Sequence, residues 1–208
     1  MKKIALGCGI VVLIAGIGVV AGGYYLYSRA RTYVGQFTKV AELDKNIANT
    51  VPFTPPASGE LTESMVQRFA SVQEQMQTRL GPEVQKMKAT QDEFERRQHE
   101  EHRDVSASEA FKAVSDLIKL VVDAKTAQVD ALNAAKFSRD EYYWVRTQFY
   151  SAAGLRFTEL NLHDMTNGGQ LTKTFQAAED AVPARNKKLV APYQDKVKDW
   201  LVLGFFGM

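Results

Sequence analysis

Cysteine is almost missing from this chain: of its 208 residues only Cys8 is one, and it sits inside an apolar run. No internal disulfide can form, so the fold must be held by packing, and thiol-based catalysis is excluded. Acidic residues are missing from the N-terminal stretch, the first being Glu42. Net charge is only +2, and Lys2 and Lys3 carry all of it, since the remaining 24 Lys and Arg balance the 24 Asp and Glu. The chain beyond them has no basic excess with which to neutralise phosphates, and nucleic acid is not an expected partner. Enzyme signatures are lacking too: there is no GxSxG, no phosphate-cradling GxxxxGKS/T, no HExxH, and no GxGxxG after a strand. The sequence therefore predicts a non-catalytic protein with no catalytic residues, no cofactor and no metal.

What is present begins with Ile4 to Tyr27, 24 residues without a charge. At ~1.5 Å rise per residue a helix of this length reaches roughly 36 Å, enough to cross a ~30 Å hydrocarbon layer with some tilt. Lys2 and Lys3 mark one end, and an interfacial belt of Tyr24, Tyr25 and Tyr27 followed by Arg29 and Arg31 marks the other. Two processing alternatives stand beside an uncleaved anchor. Ala5-Leu6-Gly7-Cys8 is similar to a lipid-attachment box, but only about four apolar residues precede it where a signal core needs roughly 7 to 15. Val19-Val20-Ala21 before Gly22 has the small-residue spacing that a signal peptidase reads.

Six of the 14 glycines fall in the segment, and Gly18 and Gly22 form a GxxxG. With Cys8, Val11 and Ala15 they line one stripe at alternating spacings of 3 and 4. Small side chains there let a second helix approach closely in lipid, making Ala15, Gly18 and Gly22 the expected membrane-helix packing residues. Glycine is also common in membrane helices without any such role. A short cationic tail before a signal-anchor core places the bulk of the chain on the extracytoplasmic, periplasmic side of the inner (cytoplasmic) membrane, although Arg29, Arg31 and Lys39 compete with it.

Helical character is expected through a juxtamembrane segment, 28–48, and is broken by a proline-rich linker, 49–60. Val51-Pro52-Phe53-Thr54-Pro55-Pro56 holds three of the six prolines. Fixed φ and missing N–H donors make it extended, polyproline-like chain, serving as a stiff spacer, a surface strap or a proline-rich ligand. Helices follow over 61–203. Thr62 is the N-cap of the first, Leu61 and Val66 form its hydrophobic staple, and Met65, Phe69, Val72 and Met76 repeat at 4, 3, 4. Gly81-Pro82 is expected to break or kink it, with a new first turn at Pro82. Ser106 with Glu109, and Ser138 with Glu141, match the S/T-x-x-E capping box. Phe111, Val114, Ile118, Val121, Val129 and Leu132 form the stripe of one long helix. Tyr142, Val145, Phe149, Ala152 and Leu160 form that of the next, which Asn167-Gly168-Gly169 is expected to end. A short helix from about Thr172 to Ala181 and a last one beginning at Pro183, kinked or interrupted at Pro192, complete the pattern. The fold class is thus all-α: one N-terminal transmembrane helix (1–27), then an antiparallel bundle of four or five helices.

Asp92, Glu95, His99 and His102 share a helix face, but 11 of the 13 residues from Asp92 to Asp104 are charged or His. A solvated, salt-bridged face with Asp92/Arg96 and Glu93/Arg97 pairs explains them better than a metal site. The Glu-x-x-His pair of carboxylate-bridged metal bundles is missing, and His163, one turn from Glu159, is read as a surface or capping residue. Tyr142-Tyr143-Trp144 and Phe149-Tyr150 are read as core, with ligand stacking as the alternative. The C-terminal Trp200 to Met208 is nine residues without a charge. Trp200, Leu203, Phe205 and Phe206, ending in the apolar tail 204–208, pack on the bundle itself, dock on a partner or enter the membrane interface. These features point to contacts rather than chemistry. The expected function is a non-catalytic accessory or scaffolding subunit of a transport, respiratory or photosynthetic membrane assembly, with other membrane subunits and the lipid bilayer as partners. The alternative is a membrane-tethered ligand-binding or sensory bundle.

Overall fold

The computed structural model describes residues 40, 42–100, 107–155, 157–160, 172–175 and 182–205. Within them the fold is a helical bundle of five α-helical segments with a short two-stranded ribbon. No helix among the described residues is long and apolar enough to cross a membrane. The segment Ile4–Tyr27 lies outside them, and with it Ala15, Gly18, Gly22, the tyrosine belt, Arg29 and Arg31.

Helix α1 runs over Glu63–Glu100. It starts where Thr62 Oγ1 accepts the Met65 N–H at 3.2 Å, and both expected staple residues, Leu61 and Val66, are buried. Pro82 lies inside this helix, so of the break or kink expected at Gly81-Pro82 the break is corrected. Residues before proline avoid the helical region largely because their Cβ meets the pyrrolidine ring, and Gly81 has no Cβ. The lost N–H leaves one carbonyl a turn earlier without its usual donor, a cost the helix absorbs.

Helix α2, Ala107–Ala134, begins directly after Ser106, which lies outside the described residues. It ends in a six-residue wrap: the Phe137 N–H reaches the Leu132 carbonyl at 3.0 Å, with Lys136 at φ 57° in the left-handed position. Helix α3, Arg139–Ala152, carries the expected cap, Ser138 Oγ accepting the Glu141 N–H at 3.3 Å. The Glu141 carboxylate is turned instead to Arg68 of α1, whose guanidinium lies over the Phe137 ring at 4.0 Å. Helix α3 stops well short of the expected Asn167-Gly168-Gly169, at Gly154 (φ +73°), where the Leu155 N–H reaches back to the Tyr150 carbonyl at 3.1 Å.

Leu160 is accordingly not helical. It closes strand β1, Phe157–Leu160, which pairs antiparallel with β2, Thr172–Phe175, in the register Phe157 to Phe175 and Leu160 to Thr172. A helix was expected from Thr172. Two β-branched threonines and Phe175 in four residues favour a pleated strand once a partner strand lies alongside. Residues 161–171, carrying His163 and Asn167-Gly168-Gly169, lie outside the described residues. Helix α4, Ala184–Val190, a 3-10 turn at Ala191–Tyr193 and helix α5, Gln194–Phe205, follow, so the last helix is interrupted at Pro192, one of the two outcomes expected there.

Helices α1 and α2 pack against each other, α3 and α4 pack on α1, and α5 lies beside the ribbon. The core centres on Phe69, whose ring meets Tyr142, Phe149, Tyr150 and Trp200 at centroid distances of 5.7, 4.7, 5.9 and 6.3 Å. Of the expected stripes Met65 is half-buried, and the other members whose side chains are described are buried: Phe69, Val72 and Met76 on α1, Ile118, Val121, Val129 and Leu132 on α2, and Tyr142, Val145, Phe149 and Ala152 on α3.

Candidate functional site

Of the expected docking residues, Trp200 is fully buried against Phe69, Phe149 and Tyr193. It packs on its own bundle. Leu203 and Phe205 lie in the last turns of α5, and Phe206 lies outside the described residues. Of the aromatic cluster, Tyr142, Phe149 and Tyr150 are fully buried in the core, while Tyr143 and Trp144 are half-buried at its edge. On the charged face of α1, Arg96 pairs with Glu93 at 3.1 Å and Asp92 is exposed. No group of three or more potential metal ligands occurs among the described residues.

The built site lies where residues 42–61 join the bundle. A 3-10 turn at Leu43–Asn46 leads into an extended strap that reaches α1 at Leu61. Two asparagine amides hold its ends. Asn133, in the last turn of α2, accepts the Ala48 N–H at 2.7 Å and donates to the Asn46 carbonyl at 3.0 Å. Asn186, buried on α4, accepts the Leu61 N–H at 2.7 Å and donates to the Gly59 carbonyl at 3.0 Å. Each amide meets two backbone groups two residues apart, as a neighbouring strand would. Between them Asn49 donates to the Lys136 carbonyl at 2.9 Å, and Phe53 lies on Trp144 with ring centroids 5.5 Å apart. A turn closes on Gly59, whose N–H reaches the Pro56 carbonyl at 2.9 Å, and before that turn exposure follows a three-residue spacing, Phe53 and Pro56 being half-buried while Val51, Pro52, Thr54 and Pro55 are exposed. That is the period of a polyproline helix laid on the bundle along one edge. Residues 49–60 thus form a strap.

Beneath the strap's start, polar groups enter the core. Asp44 meets Lys125 Nζ at 2.6 Å and Arg139 Nε at 3.5 Å. Lys125, only 7% exposed, also donates to Gln128 Oε1 at 2.8 Å. Gln128 bonds in turn to the Tyr142 hydroxyl, which accepts the Gln73 amide at 2.8 Å. Burial first of all pushes the Tyr142 hydroxyl up to about 12, against the opposing pull of Arg146 and the two glutamine bonds. Arg146, also buried, stacks over the Tyr143 ring at 4.9 Å.

The signal for this chain of groups was present in the sequence. Gln73 falls on the α1 stripe between Phe69 and Met76, and Lys125 and Gln128 fall on the α2 stripe between Val121 and Leu132, each at spacings of 3 and 4. Polar residues at core spacing are costly unless paired, so they point to a network. The arrangement can orient and couple backbone segments. Comparison with family models, with curated proteins and with solved structures returns no match for this chain.

Proposed function

We propose that the chain is a non-catalytic, single-pass membrane-anchored accessory or scaffolding subunit of a larger membrane assembly. Its bundle stands on the extracytoplasmic face of the inner membrane. The observation that carries this reading is the 24-residue uncharged run Ile4–Tyr27, bounded by Lys2 and Lys3 on one side and by tyrosines and Arg29 on the other. Its Ala15, Gly18 and Gly22 stripe offers a face for another membrane helix. The fully buried Phe69, Tyr142, Phe149 and Tyr150 support the reading as well. A ligand-binding bundle would need open space beside those rings, and they are packed on one another. The strap offers an anchored subunit a firm junction between span and bundle.

Gentle detergent extraction from the native membrane, followed by identification of co-migrating proteins, tests the reading. Gly18→Leu combined with Gly22→Leu is expected to abolish co-purification of partner subunits while leaving the bundle folded. Co-purification that survives the double substitution removes the packing face from the proposal.

A further inference from the structure

Four separate pieces of the chain meet in one line of polar contacts. Arg139 of α3 and Lys125 of α2 both hold Asp44 of the membrane-proximal turn. Lys125 holds Gln128, Gln128 holds the Tyr142 hydroxyl of α3, and that hydroxyl holds Gln73 of α1. Only the Asp44 end reaches the surface, since Gln73, Gln128 and Tyr142 are all fully buried. Each link satisfies a donor in a low-dielectric interior, where a broken link strands a buried donor or charge, and at the far end Gln73 Oε1 is buried without a hydrogen-bond partner. An ammonium deprived of its carboxylate at 7% exposure must find another partner or move toward water. Movement of Lys125 withdraws the donor from Gln128, and the disturbance passes to Tyr142 and so to α1.

We propose that this chain is a conformational relay, in which Asp44 is the positioning residue that couples displacement of the membrane-proximal segment to the packing of α1 against α2 and α3. Asn133 holds the same segment through Ala48 and Asn46 but has no link into the core chain. It therefore fixes the segment's place without transmitting its displacement. The origin of a displacement at the membrane rests on reading Ile4–Tyr27 as an anchor; the relay itself does not.

A double-mutant cycle on the full chain in detergent micelles decides the matter. Asp44→Asn keeps the side-chain shape and one acceptor oxygen, and Gln73→Leu removes the far end of the chain without touching Asp44. Distant, unlinked sites multiply their effects on the unfolding constant to within about twofold. A working relay makes the double variant depart from the product of the single effects by about fivefold or more. The control cycle, Asn133→Ala with Gln73→Leu, is expected to stay within about twofold. Hydrogen exchange of the native proteins gives a second measure. Asp44→Asn is expected to speed amide exchange in α1 around Gln73 as well as over 42–49, whereas Asn133→Ala speeds it over 42–49 alone. Additive effects in the first cycle, or exchange changes confined to 42–49 in Asp44→Asn, overturn the relay. Neither result depends on partner subunits, so the relay and the proposed function can fail separately.

Discussion

Asn186 accepts the backbone N–H of Leu61 at 2.7 Å from a position 125 residues further along the chain. The same amide donates to Gly59, so one side chain closes the end of the strap against α4. Replacing it by alanine leaves the Leu61 N–H buried and unpaired, which costs about 2 kcal/mol. Asn186→Ala is therefore expected to lower the urea midpoint by that much stability, with an unchanged denaturant slope if the strap stays docked. A midpoint within error of the parent protein refutes the clamp.

Trp200 provides a second test, because the sequence offered it as a docking residue and the structure buries it on Phe69 and Phe149. Truncation of a buried tryptophan typically costs about 3–5 kcal/mol. Trp200→Ala is expected to lose stability on that scale together with the near-ultraviolet circular dichroism of the aromatic cluster. Stability unchanged in the isolated protein would return Trp200 to the surface.

Alkaline stability follows from Tyr142, whose hydroxyl is held up at about 12 by burial against the ordinary 10.0. Between those values the unfolded chain releases the proton while the folded one keeps it, so stability present below pH 10 is lost as pH rises toward 12. The slope contributed by this group is about 1.4 kcal/mol per pH unit. Burial raises Tyr150 as well, steepening the same loss. Tyr142→Phe is expected to flatten the profile above pH 10 while lowering stability at pH 7, where Gln73 and Gln128 lose their shared partner. An unaltered alkaline profile in this variant contradicts the buried placement.

Lys136 holds a left-handed backbone, φ 57°, at the end of α2, a conformation that costs side-chain-bearing residues about 1 kcal/mol or more. Lys136→Gly removes that strain but loosens the unfolded chain, for a net gain of up to about 1 kcal/mol. Thermal unfolding is the measurement. A fall in melting temperature instead would mean that the lysine side chain contributes more than its backbone costs.

The helical core was legible because packing enforces the 3.6-residue period: Phe69, Val72 and Met76 lie where their spacing puts them. Ser138 caps α3 and Pro192 interrupts the last helix with a 3-10 turn for equally local reasons. Other features depend on what the local pattern omits. Gly154 stops α3 by a backbone wrap, although Ala152-Ala153 before it reads as good helix. Pro82 fails to stop α1 because the residue before it is glycine. The ribbon needs two four-residue strands to find each other across a connection, and neither is long enough to announce itself. The relay escaped because a search for apolar stripes passes over polar residues at stripe positions, and the clamps because their partners lie 85 and 125 residues away.

The unbroken passage of α1 through Pro82 sets a dimension. Its 38 residues give a helical contour of about 57 Å, longer than the ~40–45 Å thickness of a bilayer with its headgroups. Buried side chains described on it end at Leu80, so roughly 30 Å of helix continues past the last of them. Residue count thus acts as a ruler, fixing how far along α1 its described end at Glu100 lies from Phe69.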